Sequence, residues 1–318
     1  MGVGRLDVTN PYTGQSVGCV TTVDGAAVDR AMAVATGEQE PLTRYQRFEV
    51  LDRARDLLKE RAEAFAGLIC AESGLCLRET RYEVGRACDV LQFGAIESLR
   101  DDGDIYSCDI SPQGKARKIF TLREPVRLVS AITPFNHPLN QVAHKLAPAI
   151  AAGAPVLLKP SEKTPLSAIR MQELLREAGV PKNVFQVVNG EKAMVEAICD
   201  HPDIKAVSFV GSTNVGKHVY ERASQSGKRA QCMMGAKNHC VVMPDANRSQ
   251  AIDSLLGSAF GAAGQRCMAA SVLITVGDCG AVTQAIERKM RAIRPGENLG
   301  AIISDEAKTR IEGYLYRA

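Results

Sequence analysis

The spacing of apolar residues divides the chain into a helical first third and a longer region in which short strands alternate with helices. Between Ala26 and Leu99, apolar residues recur every three or four positions among charged ones, which predicts three or four amphipathic helices. After Pro125 the chain alternates between helical stretches and short apolar runs at 128–132, 156–158, 184–188 and 206–210. This alternation predicts βαβ units and a parallel sheet, whose ligands bind at the carboxyl ends of the strands.

Three other stretches complete the pattern. Strand-like runs at 6–9 and 16–22 flank a turn and predict an N-terminal hairpin. Residues 101–124 lose the helical period and predict a projecting two-stranded β-ribbon, whose unpaired edge we expect to pair with another subunit. A second alternation of strand and helix begins near Cys240. The chain is therefore expected to form two α/β units joined in sequence.

Composition narrows the class of protein. The 318 residues, 45% hydrophobic, are sufficient for two domains with a large core. The net charge of +3 comes from 39 basic and 36 acidic residues spread along the chain, so nothing indicates nucleic-acid binding. Ten cysteines without CxxC pairs argue against disulfides and a metal site, and no apolar run is long enough for a membrane span or signal peptide. We expect a cytoplasmic protein with no membrane association.

Cys267 is the candidate nucleophile. Glycine and alanine surround it between Gly261 and Ala270, so the backbone can approach a ligand closely and the sulfur is uncrowded. The preceding Arg266 favours the thiolate over the thiol. The alternative is a structural cysteine, because free cysteines are among the most buried and least reactive residues.

Polar residues follow three of the predicted strands. Gly211 and Ser212 lie between a strand and a helix, where backbone N–H groups form a phosphate site or simply cap the helix. Lys159 and Glu162 are positioned to hydrogen-bond ribose hydroxyls, or to form an exposed ion pair. Asn136 lies between prolines; its amide is a candidate donor to an oxyanion, or part of a turn.

Four segments together resemble the aldehyde dehydrogenase superfamily: Thr-Pro-Phe-Asn-His-Pro at 133–138, Leu-Lys-Pro-Ser-Glu at 158–162, Phe-Val-Gly-Ser-Thr at 209–213 and Gly-Gln-Arg-Cys at 264–267. The resemblance extends over the whole chain. It implies an α/β fold in which residues 1–237, ribbon included, form a Rossmann-like NAD(P)-binding domain with a parallel sheet. Residues 238–318 would form the first part of an α/β catalytic domain.

The resemblance also implies site roles. Cys267 would be the nucleophile, and Asn136 with the Cys267 backbone amide would form the oxyanion hole. The cofactor, NAD or less favourably NADP, would be bound by Thr133, Pro134, Lys159, Ser161, Glu162, Gly211 and Ser212. The carboxylate of Glu162 favours NAD because it would repel a 2′-phosphate. A homodimer or homotetramer is implied, and no metal.

The predicted substrate is a small anionic aldehyde. Arg86, His137 and Arg266 resemble the anion-holding residues of phosphonoacetaldehyde dehydrogenases, which makes phosphonoacetaldehyde the first candidate. The alternative is that Arg86 is an ordinary exposed helix residue and His137 a packed side chain. The segment Met-Gly-Ala-Lys-Asn-His at 234–239 instead resembles methylmalonate-semialdehyde dehydrogenases.

Two departures from the family keep other functions open. Met233 occupies the position of the general-base glutamate, and a methionine cannot activate water, so deacylation needs another base or coenzyme A. The chain is also shorter than usual for the family, and we expect part of the catalytic domain to be missing. The alternatives are therefore a coenzyme-A-acylating semialdehyde dehydrogenase, or a truncated inactive homologue that binds only nucleotide or a partner.

Overall fold

The structure, a computed structural model, describes residues 4–23, 26–35, 37, 40–100 and 103–317. The first three residues of the N-terminal stretch and the first two residues of the predicted ribbon lie outside the described residues. The strands are β1 (Gly4–Thr9), β2 (Ser16–Thr22), β3 (Ile105–Tyr106), β4 (Ile119–Phe120), β5 (Val129–Ile132), β6 (Val156–Lys159), β7 (Phe185–Val187), β8 (Ala206–Val210), β9 (Arg229–Met233), β10 (Asn238–Val242) and β11 (Ala270–Thr275).

The helices are α1 (Ala26–Ala35), α2 (Arg44–Glu60), α3 (Ala62–Ser73), α4 (Leu77–Ser98), α5 (Pro138–Ala152), α6 (Leu166–Ala178), α7 (Lys192–Asp200), α8 (Thr213–Gln225), α9 (Arg248–Phe260), α10 (Gly280–Met290) and α11 (Asp305–Leu315). They confirm the predicted N-terminal helices and the helices between the strands. None of the helices in the described ranges combines the length and the apolar character needed to cross a bilayer.

A five-stranded parallel sheet is the centre of the fold, and it confirms the predicted α/β class. Its strand order is β7-β6-β5-β8-β9, so the chain moves outward from β5 to β7 and then returns to the other side of β5 at β8. A crevice between β5 and β8, at their carboxyl ends, is where such sheets bind ligands. The fifth strand, β9, was not predicted, because it is an edge strand with polar and half-exposed residues.

Helices cover both faces of this sheet. On one face, α2 to α6 pack around a core that includes Leu51, Leu91, Leu146 and Leu158. On the other face, α1, α7 and α8 form a second core, to which Phe209 of β8 contributes. Successive strand residues point to opposite faces, so each buried strand serves both cores and reads as a continuous apolar run.

The second unit is smaller. Strands β10 and β11 pair in parallel, and α9 and α10 pack on them around Val242, Ile252, Cys279 and Val282. Helix α11 was not predicted; its N-cap is Ser304, whose hydroxyl accepts a hydrogen bond from the Ala307 N–H. The domain boundary at residue 237 stays a prediction.

The ribbon is present but much shorter than the sequence suggests. Each strand contributes two residues, and Ile105 pairs with Phe120. Their side chains are exposed, 90% for Ile105 and 66% for Phe120, as are those of neighbouring apolar residues. Such an apolar surface is typical of an interaction site, but pairing with another subunit stays a prediction.

Two buried glutamates cap helices to which they do not belong. Glu72 of α3 accepts hydrogen bonds from the first backbone N–H groups of α6 at 2.8 and 3.0 Å, and from the Ser167 hydroxyl. Glu83 of α4 does the same for α5, at 2.8 Å from the Leu139 N and 3.0 Å from the Asn140 N. The carboxylates satisfy N–H groups that have no partner within their own helices.

We expect Glu72 to make stability depend on pH. Burial raises the pKa of Glu72 to about 7, although the hydrogen bonds from Ser167 and the backbone oppose the increase. The pKa of Glu72 is higher in the folded state than in the unfolded state. The stabilisation that protonated Glu72 contributes to the fold is therefore complete below about pH 4.5 and is lost as pH rises through 7. Relative to Glu72→Gln, the free energy of unfolding should therefore fall by up to about 3 kcal/mol over this range, measured by urea unfolding. A constant difference between the two proteins would contradict the assignment.

Candidate active site

The Cys267 loop is tied to the chain segment that leaves the parallel sheet. Cys267 is exposed, in the loop between α9 and β11. The Asn238 side chain donates hydrogen bonds to the carbonyl oxygens of Cys267 at 2.8 Å and Ala269 at 3.0 Å. Asn238 follows Met233, the last residue of β9, by only five positions. The backbone of the Cys267 loop is thus joined through Asn238 to the segment that follows β9.

The turn that precedes the thiol has a strained backbone. Ala262, Ala263 and Gly264 have φ values of 51°, 53° and 72°, a left-handed conformation that alanine adopts rarely. The Gln265 side chain joins this turn to residues 301–303. Its Nε2 donates to the Ala301 carbonyl at 2.9 Å, and its Oε1 accepts from the Ile303 N–H at 3.0 Å. The glutamine of the Gly-Gln-Arg-Cys segment is therefore a structural residue.

Arg266 is engaged by a carboxylate of α4. Its Nη2 lies 3.2 Å from Oε1 of Glu79, and both side chains are largely buried. The guanidinium covers Gly261, where an added Cβ would come within 2.2 Å of Nη1. Arg266 is thus directed at α4 and ion-paired with Glu79, and its role in holding a substrate anion stays a prediction.

The Asn136–His137 turn lies at the other side of the site. It follows β5, and His137 has a left-handed φ of 55° as the residue before α5. Nδ1 of His137 is 3.4 Å from Oε2 of Glu83, so this histidine also contacts a buried carboxylate of α4. Asn136 is half-buried at this turn. A polar Asn-His pair therefore sits at the carboxyl end of the central strand.

Lys159 and Glu162 form an ion pair at the end of β6. Lys159 is 4% exposed and its Nζ contacts the Glu162 carboxylate, which argues against the alternative of an ordinary exposed pair. Ser161 lies between them, and its hydroxyl accepts from the Lys163 N–H at 3.3 Å. Thr133, at the end of β5, is buried, and its Oγ1 has no hydrogen-bond partner among the described residues.

Gly211 and Ser212 connect β8 to α8. Ser212 is the cap residue of α8, but in the described part of the chain no side chain bonds to the first N–H groups of this helix. The Gly211 N–H donates to the carbonyl oxygen of Met233 at 3.2 Å. Met233 itself is 54% exposed at the end of β9 and has no group that could accept a proton. The open N-terminus of α8 and Met233, the residue predicted to replace the general base, are therefore adjacent.

Arg86 lies on α4 at a distance from Arg266. It is exposed on α4, seven residues after Glu79, which is about 10 Å along the helix axis. Burial, followed by the charges of Arg86 and Lys145, lowers the pKa of His144 on α5, which indicates that Arg86 lies beside that helix. The structure does not bring Arg86 and Arg266 into contact.

Sequence reasoning missed Glu79, Glu83 and Asn238. The two glutamates are four residues apart and so lie on one face of α4, one holding the Cys267 loop and the other the His137 turn. Acidic residues in an amphipathic helix ordinarily indicate a face exposed to solvent. Only the four-residue spacing of the two glutamates could have indicated that they act together. Asn238 gave no signal beyond its place in the Met-Gly-Ala-Lys-Asn-His segment.

Comparison with known proteins identifies the family. The sequence profile of the Aldehyde dehydrogenase family matches residues 2–318. The chain belongs to this family. It is 36% identical over 319 residues to the human mitochondrial acylating methylmalonate-semialdehyde/malonate-semialdehyde dehydrogenase, a match that covers 96% of this chain and 58% of that protein. It is 37% identical to malonate-semialdehyde dehydrogenase of Halalkalibacterium halodurans, covering 97% of this chain and 65% of the relative.

Solved structures agree with this aldehyde dehydrogenase family membership. A putative methylmalonate-semialdehyde dehydrogenase from Sinorhizobium meliloti, complexed with NAD, superposes with a TM-score of 0.90 at 33% identity, over 99% of this chain and 65% of that one. A point mutant of apo betaine aldehyde dehydrogenase from Staphylococcus aureus gives 0.93 at 29% identity, over 98% and 64%. The chain thus spans about 58 to 65% of the length of these relatives and solved structures.

The turn at Gly211 should not tolerate a side chain. A Cβ on Gly211 would come within 2.5 Å of Cζ of the buried Phe209 ring, so the backbone or the ring must shift. We expect Gly211→Ala to lower the free energy of unfolding by about 1 to 3 kcal/mol, measured by urea denaturation. Gly67→Ala is the matched control, because nothing lies within 4 Å of the added Cβ and alanine favours the helix. Equal stability of the two variants would contradict this packing.

Proposed function

We propose that the protein oxidises a short semialdehyde with a carboxylate tail, using NAD, and transfers the acyl group from Cys267 to coenzyme A. The observation that carries the proposal is the exposed Cys267, anchored by Asn238 beside the sheet edge that ends in Met233. A nucleophile is present, while Met233, at the predicted general-base position, cannot act as a base for hydrolysis. The relatives named for acylating and malonate-semialdehyde activities support the same chemistry.

The residues at the carboxyl edge fit a dinucleotide. The uncapped N-terminus of α8 offers N–H groups and a favourable dipole to a pyrophosphate. The buried Lys159 with Glu162 supplies a donor and an acceptor for ribose hydroxyls, and the unpartnered Thr133 hydroxyl lies at the same edge. We assign Pro134, Ser161, Gly211 and Ser212 to the walls of this site. The Sinorhizobium relative was solved with NAD, which favours NAD as the cofactor.

The chemistry of oxidation begins at the thiol. The Cys267 thiolate attacks the aldehyde carbon, which forms a C–S bond and a tetrahedral thiohemiacetal with a negative oxygen. The Asn136 amide and the Cys267 backbone N–H are the donors proposed to stabilise that oxygen. A bound NAD would supply the acceptor for the hydride of the substrate carbon. The carbonyl then re-forms, and Cys267 carries a thioester.

Coenzyme A completes the cycle. Its thiolate attacks the thioester carbonyl, the bond to the Cys267 sulfur breaks, and Cys267 leaves as a thiolate ready for another turnover. Water would need a general base to do the same, and Met233 provides none. The proposed acceptor is therefore a thiol, which is nucleophilic near neutral pH without such a base.

A carboxylate replaces the phosphonate as the preferred tail. Phosphonoacetaldehyde was suggested by Arg86, His137 and Arg266 together, but Arg266 is ion-paired with Glu79 and Arg86 lies two helical turns away. A single partly neutralised guanidinium suits a monoanionic carboxylate better than a dianionic phosphonate. The relatives are named for carboxylate-bearing semialdehydes. Cytoplasmic location and a homo-oligomer remain part of the proposal.

The test is a rapid-mixing reaction with malonate semialdehyde and NAD, followed by NADH absorbance. We expect a burst of about one NADH per Cys267, with continued turnover only after coenzyme A is added. Phosphonoacetaldehyde should give a smaller burst rate. Cys267→Ala should abolish the burst, whereas Cys19→Ala, which removes an exposed cysteine of the N-terminal hairpin, should leave it unchanged.

Each other outcome identifies a different function. Continued turnover without coenzyme A would contradict the acylating proposal and indicate hydrolysis. Absence of a burst, together with a rise in melting temperature on adding NAD, would indicate a homologue that only binds nucleotide. Met233→Glu supplies the missing carboxylate and should permit turnover in water, while Met243→Glu, at another exposed methionine, should not.

A further inference from the structure

The Glu79 carboxylate joins α4 to the Cys267 loop through two contacts. Oε1 accepts a hydrogen bond from the Ala262 N–H at 2.7 Å and lies 3.2 Å from Nη2 of Arg266. The side chain of Glu79 is only 10% exposed and that of Arg266 27% exposed. Both contacts reach across more than 180 positions of sequence, so they fix the loop relative to the first unit.

The first contact holds a backbone that would otherwise relax. Ala262 and Ala263 are left-handed, a conformation that costs about 1 kcal/mol or more for each alanine. The Ala262 N–H points at a carboxylate, and such charge-assisted hydrogen bonds are stronger than neutral ones. The turn ends three residues before Cys267, so its conformation sets the direction in which the loop presents the thiol.

The second contact pairs Glu79 with the charge of the residue that precedes Cys267. Arg266 precedes Cys267 directly, and a free guanidinium there would stabilise the thiolate. Glu79 offsets that charge in a largely buried pair, where the effective dielectric constant is low. Other charged groups around the same cleft are Arg78 and Lys289, and Lys289 is paired with Asp253.

We propose that Glu79 is a positioning residue for the nucleophile: it holds the turn before Cys267 and, through Arg266, sets the electrostatic environment of the thiol. Glu79 does not touch the reacting atoms, so its effect passes through Arg266 and the backbone. The inference rests on the proposed function only in taking Cys267 as the nucleophile. Its test requires neither cofactor nor aldehyde, so the two can fail separately.

The experiment measures alkylation of the full chain by iodoacetamide from pH 5.5 to 9.5, with each cysteine quantified by peptide mass spectrometry. Glu79→Gln keeps an acceptor for the Ala262 N–H and removes the charge that offsets Arg266. The pH at which Cys267 is half-reactive should fall by about half a unit or more. Arg266→Gln removes the positive charge that pairs with Glu79, so the pH at which Cys267 is half-reactive should rise.

The double variant separates positioning from a general structural effect. In the Arg266→Gln background, Glu79→Gln should shift the Cys267 half-point much less, because the guanidinium charge that Glu79 offsets is absent. Glu72→Gln removes another buried, helix-capping carboxylate and should not change the Cys267 half-point. An equal effect of Glu79→Gln in both backgrounds, or no effect in either, would overturn the proposal.

Cys76 reports whether the variants remain folded. It is buried, and its Sγ is 3.4 Å from Oε2 of Glu79, so rapid alkylation of Cys76 would show that α4 has opened. If Cys76 is alkylated rapidly in Glu79→Gln, the same half-point is measured in Glu79→Asp and in the single Arg266→Gln variant instead. Glu79→Asp keeps the charge, so its Cys267 half-point should stay near the wild-type value. An unchanged half-point in Arg266→Gln would refute the role of the pair.

Discussion

The site depends on two buried carboxylates placed one turn apart on α4. Glu79 holds the strained turn before Cys267, and Glu83 accepts hydrogen bonds from the first N–H groups of α5 and contacts His137. Both carboxylates satisfy backbone donors that have no partner in their own segments. Removal of either would leave buried donors unpaired, which costs more than the hydrogen bond itself contributes. One rigid helix therefore sets the spacing between the proposed nucleophile and the proposed oxyanion donor.

The parallel sheet supplies the other half of this arrangement. Its order reverses beside β5, so the segments that follow β5 and β8 open onto one crevice, with Lys159 at the end of β6 beside them. Asn238 then links the end of β9 to the Cys267 loop. A cofactor edge and a thiol loop from distant parts of the chain are thereby held together by backbone pairing and a few polar side chains.

The sequence predicted those features that depend on local patterns. Apolar runs located the strands β5 to β8 and the helices between them, and Gly, Pro and small residues marked the turns at Gly211 and Cys267. It did not predict β9, whose polar edge residues lack an apolar run, or the length of the ribbon. The pairing of Arg266 with Glu79 joins residues 187 positions apart, and only the folded chain brings them together. The grouping of Arg86, His137 and Arg266 as anion ligands, which the family resemblance implied, stays a prediction.

The central claim is that Cys267 carries the acyl group between oxidation and its transfer to coenzyme A. The most direct measurement is mass spectrometry of the acid-quenched protein after mixing with malonate semialdehyde and NAD. The account predicts one acyl adduct, located on the Cys267 peptide, that forms only with NAD and disappears when coenzyme A is added before the quench. An adduct on another cysteine, or NADH formation without any adduct, would contradict it.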